Sequence, residues 1–125
     1  MINNMASEDY ESGFREFLES AIEEENKGRY RVAISNYYKA LTELCSYLIL
    51  SKLEKTPKSH NEIFLFLRAS FPKIYGAVDN AFSIYKKTYT LPGDKESCEA
   101  IKHAIKQISE TEEFSKGIKE DIGKI

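Results

Sequence analysis

The chain has 125 residues, of which 42% are hydrophobic and 30% are charged, and its formal net charge is −2. This composition is ordinary for a globular protein, and a domain of this length buries about two-thirds of its unfolded surface, so disordered and fibrous classes are excluded. No apolar run approaches the roughly 20 residues of a membrane span, and the acidic start lacks the apolar region of a signal peptide. We therefore expect one cytoplasmic domain over residues 1–125, with a core at about 7–110 and a tail at 111–125.

Two helices are predicted in the first part of the chain. Apolar residues in the range 10–22 recur at helical spacing, with Ser7 as the expected N-cap and Gly28 as the expected stop. In the range 30–50, apolar residues cover most of the helical circumference, which is typical of a helix buried by several neighbours. We predict that this second helix is central and that its excess apolar surface meets a partner chain in a C2 homodimer.

Three shorter helices follow. Ser59 and Glu62 form an S-x-x-E capping box that starts the third helix, and Pro72 ends it. An apolar stripe over 74–85 predicts a fourth helix, and Asp94 is placed to cap a fifth after a Pro-Gly turn. The tail is weakly helical, and we expect it to fray. Since no segment shows sustained strand alternation, the predicted fold class is all-α, an up-and-down helical bundle of about five helices.

Charge is distributed unevenly along the chain. Residues 1–25 include eight acidic residues and one basic residue, a net charge of −7. Residues 26–87 include eleven basic and four acidic residues, a net charge of +7. Two interpretations follow from this asymmetry: the first helix neutralises the basic middle within the fold, or the middle presents a basic surface to nucleic acid or phosphate.

Familiar catalytic and metal-binding patterns are absent from the sequence. It has no phosphate-binding glycine loop, zinc-type Cys/His spacing, HExxH motif or nucleophile elbow, so neither a cofactor nor a metal is predicted. Cys45 and Cys98 fall at apolar helical positions and are expected to be reduced thiols in the core. His60 has a capping or packing role or a ligand-binding role, whereas His103 lies off the apolar stripe of its helix and is expected at the surface.

The candidate ligand-binding residues are basic or aromatic side chains of the basic middle and the turn that follows it. Arg31 lies on the narrow polar stripe of the second helix, with an ordinary surface role as the alternative. Lys86 and Lys87 end the fourth helix, where cations also complement the helix dipole. Tyr89 follows directly, and His60 completes the predicted phosphate- or ligand-binding set.

The stretch KGRYRVAISNYYKAL resembles the pattern of a tetratricopeptide repeat. The matching positions are small and aromatic residues: Gly28, Tyr30, Ala33, Tyr37 and Ala40. No second copy follows about 34 residues later, and such repeats need neighbours to bury their apolar faces. We interpret the match as the general way in which one helix packs against the next through small residues, and an adaptor of tetratricopeptide type stays one alternative function.

Most of the chain resembles a HEPN domain, in particular the small prokaryotic proteins of UPF0332 type. The resemblance depends on Arg31 with Tyr37 and Tyr38 in the second helix, on a Ser59-His60 helix start after a short loop, and on the order of the helices. It implies an up-and-down helical bundle that usually dimerises. Members of this family act as RNA-cleaving toxins, as partners of minimal nucleotidyltransferases, or as nucleotide- or RNA-binding accessory proteins.

Ribonucleases of the HEPN family use an R-x(4–6)-H motif, which this sequence lacks. The local match is Lys86-Lys87-Thr88-Tyr89, and no histidine follows it. Lysine lacks the bidentate fork of arginine, and the missing histidine removes the obvious general acid or base. We predict a non-catalytic HEPN-like bundle that binds a protein partner, such as a minimal nucleotidyltransferase, or a nucleotide or RNA. A HEPN toxin ribonuclease with a degenerate motif is the enzymatic alternative.

Overall fold

The structure is a computed structural model that describes residues 4–125. The described chain forms six helices: α1 (Asn4–Asn26), α2 (Tyr30–Leu53), α3 (His60–Ser70), α4 (Pro72–Lys87), α5 (Lys95–Thr111) and α6 (Lys116–Ile122). No strand occurs between residues 4 and 125, so the predicted all-α bundle is confirmed. None of the six helices has the length and apolar character needed to cross a bilayer.

The second helix, α2, is the central helix of the bundle, as predicted. It packs extensively against α1 and also contacts α3, α4 and α5. Its large apolar side chains are almost fully buried, including those of Tyr37, Leu41, Leu44 and Leu48. The apolar surface that argued for a partner chain is therefore covered within the same chain. The homodimer stays a prediction that depends on the family resemblance alone.

Local capping chemistry sets the helix boundaries. Gly28 adopts a φ of 76° between α1 and α2, a left-handed conformation that glycine accepts without steric cost. At the start of α3, the Ser59 hydroxyl accepts the backbone N–H of Glu62, as the capping box predicts. The Glu62 carboxylate, however, accepts the backbone N–H of Lys58 instead of that of Ser59. Asp94 caps α5 through a backbone N–H in its first turn.

Two predictions near the chain ends are wrong. Ser7 lies inside α1 instead of capping it, because the residues before it continue the helix. The tail does not fray: Phe114 and Ile118 are buried, and α6 packs against α1 and α5. The guanidinium of Arg15 also donates a hydrogen bond to the buried Asp121 carboxylate at 3.1 Å. The core therefore extends well beyond residue 110.

Candidate nucleic-acid interface

A continuous row of aromatic rings lies along α3 and α4. Tyr75, Phe82 and Lys86 share one face of α4, because steps of seven and eleven residues return to nearly the same direction on a helix of 3.6 residues per turn. The Phe64 ring of α3 lies 5.9 Å from the Tyr75 ring and 5.5 Å from the Phe82 ring, measured between centroids. The Phe82 ring is followed by the rings of Tyr85 and Tyr89. We call this row the aromatic face; its members are His60, Phe64, Tyr75, Phe82, Tyr85 and Tyr89.

His60 lies in the middle of the aromatic face, at the first position of α3. Its ring centroid is 4.4 Å from that of Phe64 and 4.5 Å from that of Phe82. Its Nε2 atom lies 3.1 Å from the hydroxyl of the buried Tyr38. Burial lowers the pKa of His60 below its ordinary value, so the imidazole is neutral at neutral pH. His60 therefore packs within the bundle, which is one of its two predicted roles.

Two cations lie over rings of the aromatic face. Lys86 Nζ is 4.7 Å from the centroid of the Phe82 ring. The Arg68 guanidinium lies 5.2 Å from the centroid of the Tyr75 ring and donates a hydrogen bond to the Tyr75 hydroxyl at 3.1 Å. Both cations are exposed, and the ring beneath each one favours its position. The aromatic face therefore carries positive charge at two places along α4.

Beyond Lys86, Tyr89 is the most exposed ring of the aromatic face. Its side chain is 73% exposed, and its hydroxyl lies 3.1 Å from that of Tyr85. Tyr85 in turn stacks on the buried Tyr38 at a centroid distance of 4.7 Å. The Tyr89 ring is thus connected to the core and still open to solvent.

Arg31 and Lys87 lie beside the aromatic face instead of on it. Arg31 Nε donates a hydrogen bond to the backbone carbonyl of Leu91 at 3.0 Å, which joins the start of α2 to the turn between α4 and α5. Lys87 lines an open pocket of about 330 Å³ next to the same turn. The structure therefore brings together only part of the predicted set on the aromatic face: His60, Lys86 and Tyr89.

Among residues 4–125, no acidic residue of α1 forms an ion pair with a cation of α3 or α4. Among the described residues, α1 forms ion pairs with the basic middle only at its own end, where Glu23 and Glu24 pair with Lys27 and Arg29. Its other ion pairs are directed within α1, to α5 and to the C-terminal segment. Direct neutralisation of the basic middle by the first helix is therefore limited to residues 27–29.

Arg68 and Tyr75 are the members of this surface that sequence reasoning missed. They belong to different helices and meet across Phe71, the single residue that separates α3 from α4. A usable signal was present in the spacing, since Tyr75 falls on the same helical face as Phe82 and Lys86. The position of Arg68 over the Tyr75 ring depends on the angle between two helices, which no local pattern specifies.

A second polar cluster connects α1, α2 and α5. Glu25 is 7% exposed, and its carboxylate accepts hydrogen bonds from the Tyr37 hydroxyl at 2.7 Å and from Lys102 and Lys95 at 3.0 and 3.1 Å. Burial alone would raise the pKa of Glu25, but the three hydrogen bonds outweigh it and the pKa is lowered. Because every partner is a side chain of the bundle, this cluster holds α1 against its neighbours.

The remaining candidate residues have structural or surface positions. Cys45 and Cys98 are buried free thiols, as predicted. His103 is exposed on α5, also as predicted. Within residues 4–125, no group of three or more His, Cys, Asp or Glu side chains is placed to hold a metal ion.

The fold and this surface define an all-α helical bundle with an aromatic and basic face on α3 and α4. Comparison of the chain with protein-family models, with curated proteins and with solved structures found no match. The HEPN and tetratricopeptide resemblances therefore stay predictions from the sequence.

Proposed function

We propose that the protein is a non-cleaving, HEPN-like bundle that binds RNA or nucleotides at its aromatic face. The observation that supports this most is the position of Lys86 over the Phe82 ring, three residues before the exposed Tyr89. Proteins that bind single-stranded nucleic acid combine cations for the phosphates with aromatic rings on which bases stack. Here Lys86 supplies the cation for a phosphate, and Tyr89 supplies the ring on which a base stacks.

The local charge also favours a phosphate-bearing ligand. Residues 60–89 include four basic and two acidic residues, a net charge of +2. Glu62, one of the two acids, is engaged with the backbone at the start of α3. A surface of this modest charge is expected to bind RNA with a shallow salt dependence, because the slope scales with the number of phosphate contacts and these are few.

Binding without cleavage follows from the surroundings of His60. Its ring nitrogens lie near the Tyr38 hydroxyl. Arg68, the arginine of α3, lies two helical turns after His60 and donates a hydrogen bond to the Tyr75 hydroxyl. His60 therefore lacks the arginine partner that the family's ribonuclease motif supplies, and a neutral histidine alone does not stabilise the charge that develops on a reacting phosphate.

The direct test is to incubate purified protein with labelled single-stranded RNA and to measure both retention and breakdown. We expect retention at low salt and intact RNA. Lys86→Ala should weaken binding and reduce the slope of log affinity against log salt by about 0.7, the value for one phosphate contact with a single strand. The matched control is Lys106→Ala, which removes an exposed lysine from α5 and should leave the slope unchanged.

Two results would contradict the proposal. RNA breakdown that disappears in a His60→Ala variant would identify a ribonuclease with a degenerate motif. A lack of binding at low salt would remove RNA and nucleotides as ligands. A protein partner, such as a minimal nucleotidyltransferase, would then be the function to test.

A further inference from the structure

The Arg68–Tyr75 pair is a second place on the aromatic face where a cation lies over a ring, as Lys86 does over Phe82. We propose that the ligand of this face is a single strand of about six nucleotides that extends along α4, rather than a mononucleotide. In this arrangement, Arg68 and Tyr89 are stacking platforms at the two ends and Lys86 is a phosphate contact between them. The inference rests on the proposed function and adds the form of the ligand.

The two platforms lie on one side of the bundle. A chain of ring contacts connects them, from Tyr75 through Phe64 and Phe82 to Tyr85 and Tyr89. The centroid distances along this chain lie between 5.5 and 6.3 Å. A bound strand can therefore follow α4 from one platform to the other without leaving the aromatic face.

The spacing sets the length of the strand. Tyr75, which holds Arg68, lies twelve residues before Lys87, the last residue of α4, and Tyr89 follows two residues later. The two platforms are therefore about 18 Å apart along the helix axis. A stacked strand advances about 3.4 Å per nucleotide step, so about five steps, which join about six nucleotides, cover this distance. One nucleotide cannot reach both platforms, and two nucleotides remain too short.

Arg68 is suited to hold a base because Tyr75 keeps its guanidinium in place. The hydrogen bond to the Tyr75 hydroxyl and the contact with the ring fix one side of the guanidinium. An open pocket of about 300 Å³, lined in part by Asn61, Phe64 and Leu65, lies next to it. Unpaired bases stack on guanidinium planes as they do on aromatic rings, so this pocket offers a base both a flat surface and apolar walls.

One carboxylate lies near this path. Asp79 is exposed one helical turn after Tyr75, and a phosphate that passes it is repelled. Asp79→Asn removes this repulsion and leaves the side chain with nearly the same shape. If the strand follows α4, this variant should bind longer oligonucleotides more tightly, a gain that a folding defect cannot imitate.

The experiment measures the affinity of the full-length protein for oligouridylates of one, two, four, six and eight nucleotides. For the unaltered chain we expect at least about a tenfold gain in affinity between two and six nucleotides, the effect of adding one stacked base and its phosphates, and little gain beyond. Arg68→Ala should remove most of this gain. Arg68→Lys should remove it as well, because lysine keeps the charge but lacks the planar guanidinium. A matched RNA duplex should bind more weakly than the single strand, because its bases are not free to stack on the platforms.

The outcomes separate this inference from the proposed function. Three results would overturn the extended strand while the binding function stands: equal affinity for one and six nucleotides, a length dependence that Arg68→Lys leaves intact, or no gain in the affinity for longer oligonucleotides from Asp79→Asn. No affinity at any length would overturn the proposed function, and the extended strand with it.

Discussion

Replacing Glu25 with alanine tests the polar cluster that joins α1 to α2 and α5. The Tyr37 hydroxyl, which donates to Glu25, belongs to a residue that is only 1% exposed. Without the carboxylate this hydroxyl has lost its partner, whereas Lys102 retains an ion pair with Glu99 at 2.7 Å. A buried hydroxyl without a partner costs about 1–3 kcal/mol, and the lost charge-assisted bonds raise the expected total to about 2–4 kcal/mol.

The assay is urea unfolding followed by far-ultraviolet circular dichroism. Glu23→Ala is the matched control, because Glu23 belongs to the same helix but its side chain is 68% exposed and pairs only with Lys27. We expect the control to change the free energy of unfolding by less than about 0.5 kcal/mol. A cost for Glu25→Ala as small as that of the control would refute the reasoning.

The same variant has a pH dependence of defined sign. The folded-state pKa of Glu25 is lowered, so its contribution is fully present above the unfolded-state pKa and is lost as the pH falls through the folded-state value. The difference in stability between the unaltered chain and Glu25→Ala should therefore be largest near neutral pH and should narrow below about pH 4. A difference that widens on acidification would contradict the assigned hydrogen bonds.

Three further outcomes are expected. Leu41→Ala should cost about 2–5 kcal/mol, because Leu41 is fully buried in the central helix, and a cost near zero would mean that α2 is misplaced. Ile118→Ala should cost a similar amount, about 2–5 kcal/mol, since this residue of α6 is also fully buried, whereas a frayed tail would tolerate it. Cys45 and Cys98, whose pKa values burial raises to about 12 and about 11, should react with a thiol reagent only after unfolding; rapid labelling of the native protein would contradict their placement.

Most of the helical framework was predictable because its signals are local. The central position of α2 follows from apolar residues around most of its circumference, and the starts of α3 and α5 follow from the hydroxyl of Ser59 and the carboxylate of Asp94. The docking of α6 was not predictable in this way. A helix of seven residues is too short to show a clear period, and its position depends on contacts such as that between Arg15 and Asp121, which are 106 residues apart.

The candidate surface was predictable only in part. Lys86 and Tyr89 stood out because of the family resemblance, and both lie on the aromatic face. Arg31 has a backbone partner that sequence could not reveal, since its hydrogen bond to Leu91 spans 60 residues. Arg68 lies over the Tyr75 ring because α3 packs against α4. The periodicity of a sequence does not predict which residues of different helices meet, so the roles of such residues could not be inferred from it.

The most direct test of RNA binding at the aromatic face is a titration of the isotope-labelled protein with an oligouridylate of about six nucleotides, followed by amide chemical shifts. The account predicts that shifts concentrate in α3, in α4 and at the turn that holds Tyr89, and that α1 and α6 change little. Lys86→Ala should reduce these shifts at equal RNA concentration. Shifts centred on α1 or α6, or no shifts at low salt, would contradict the account.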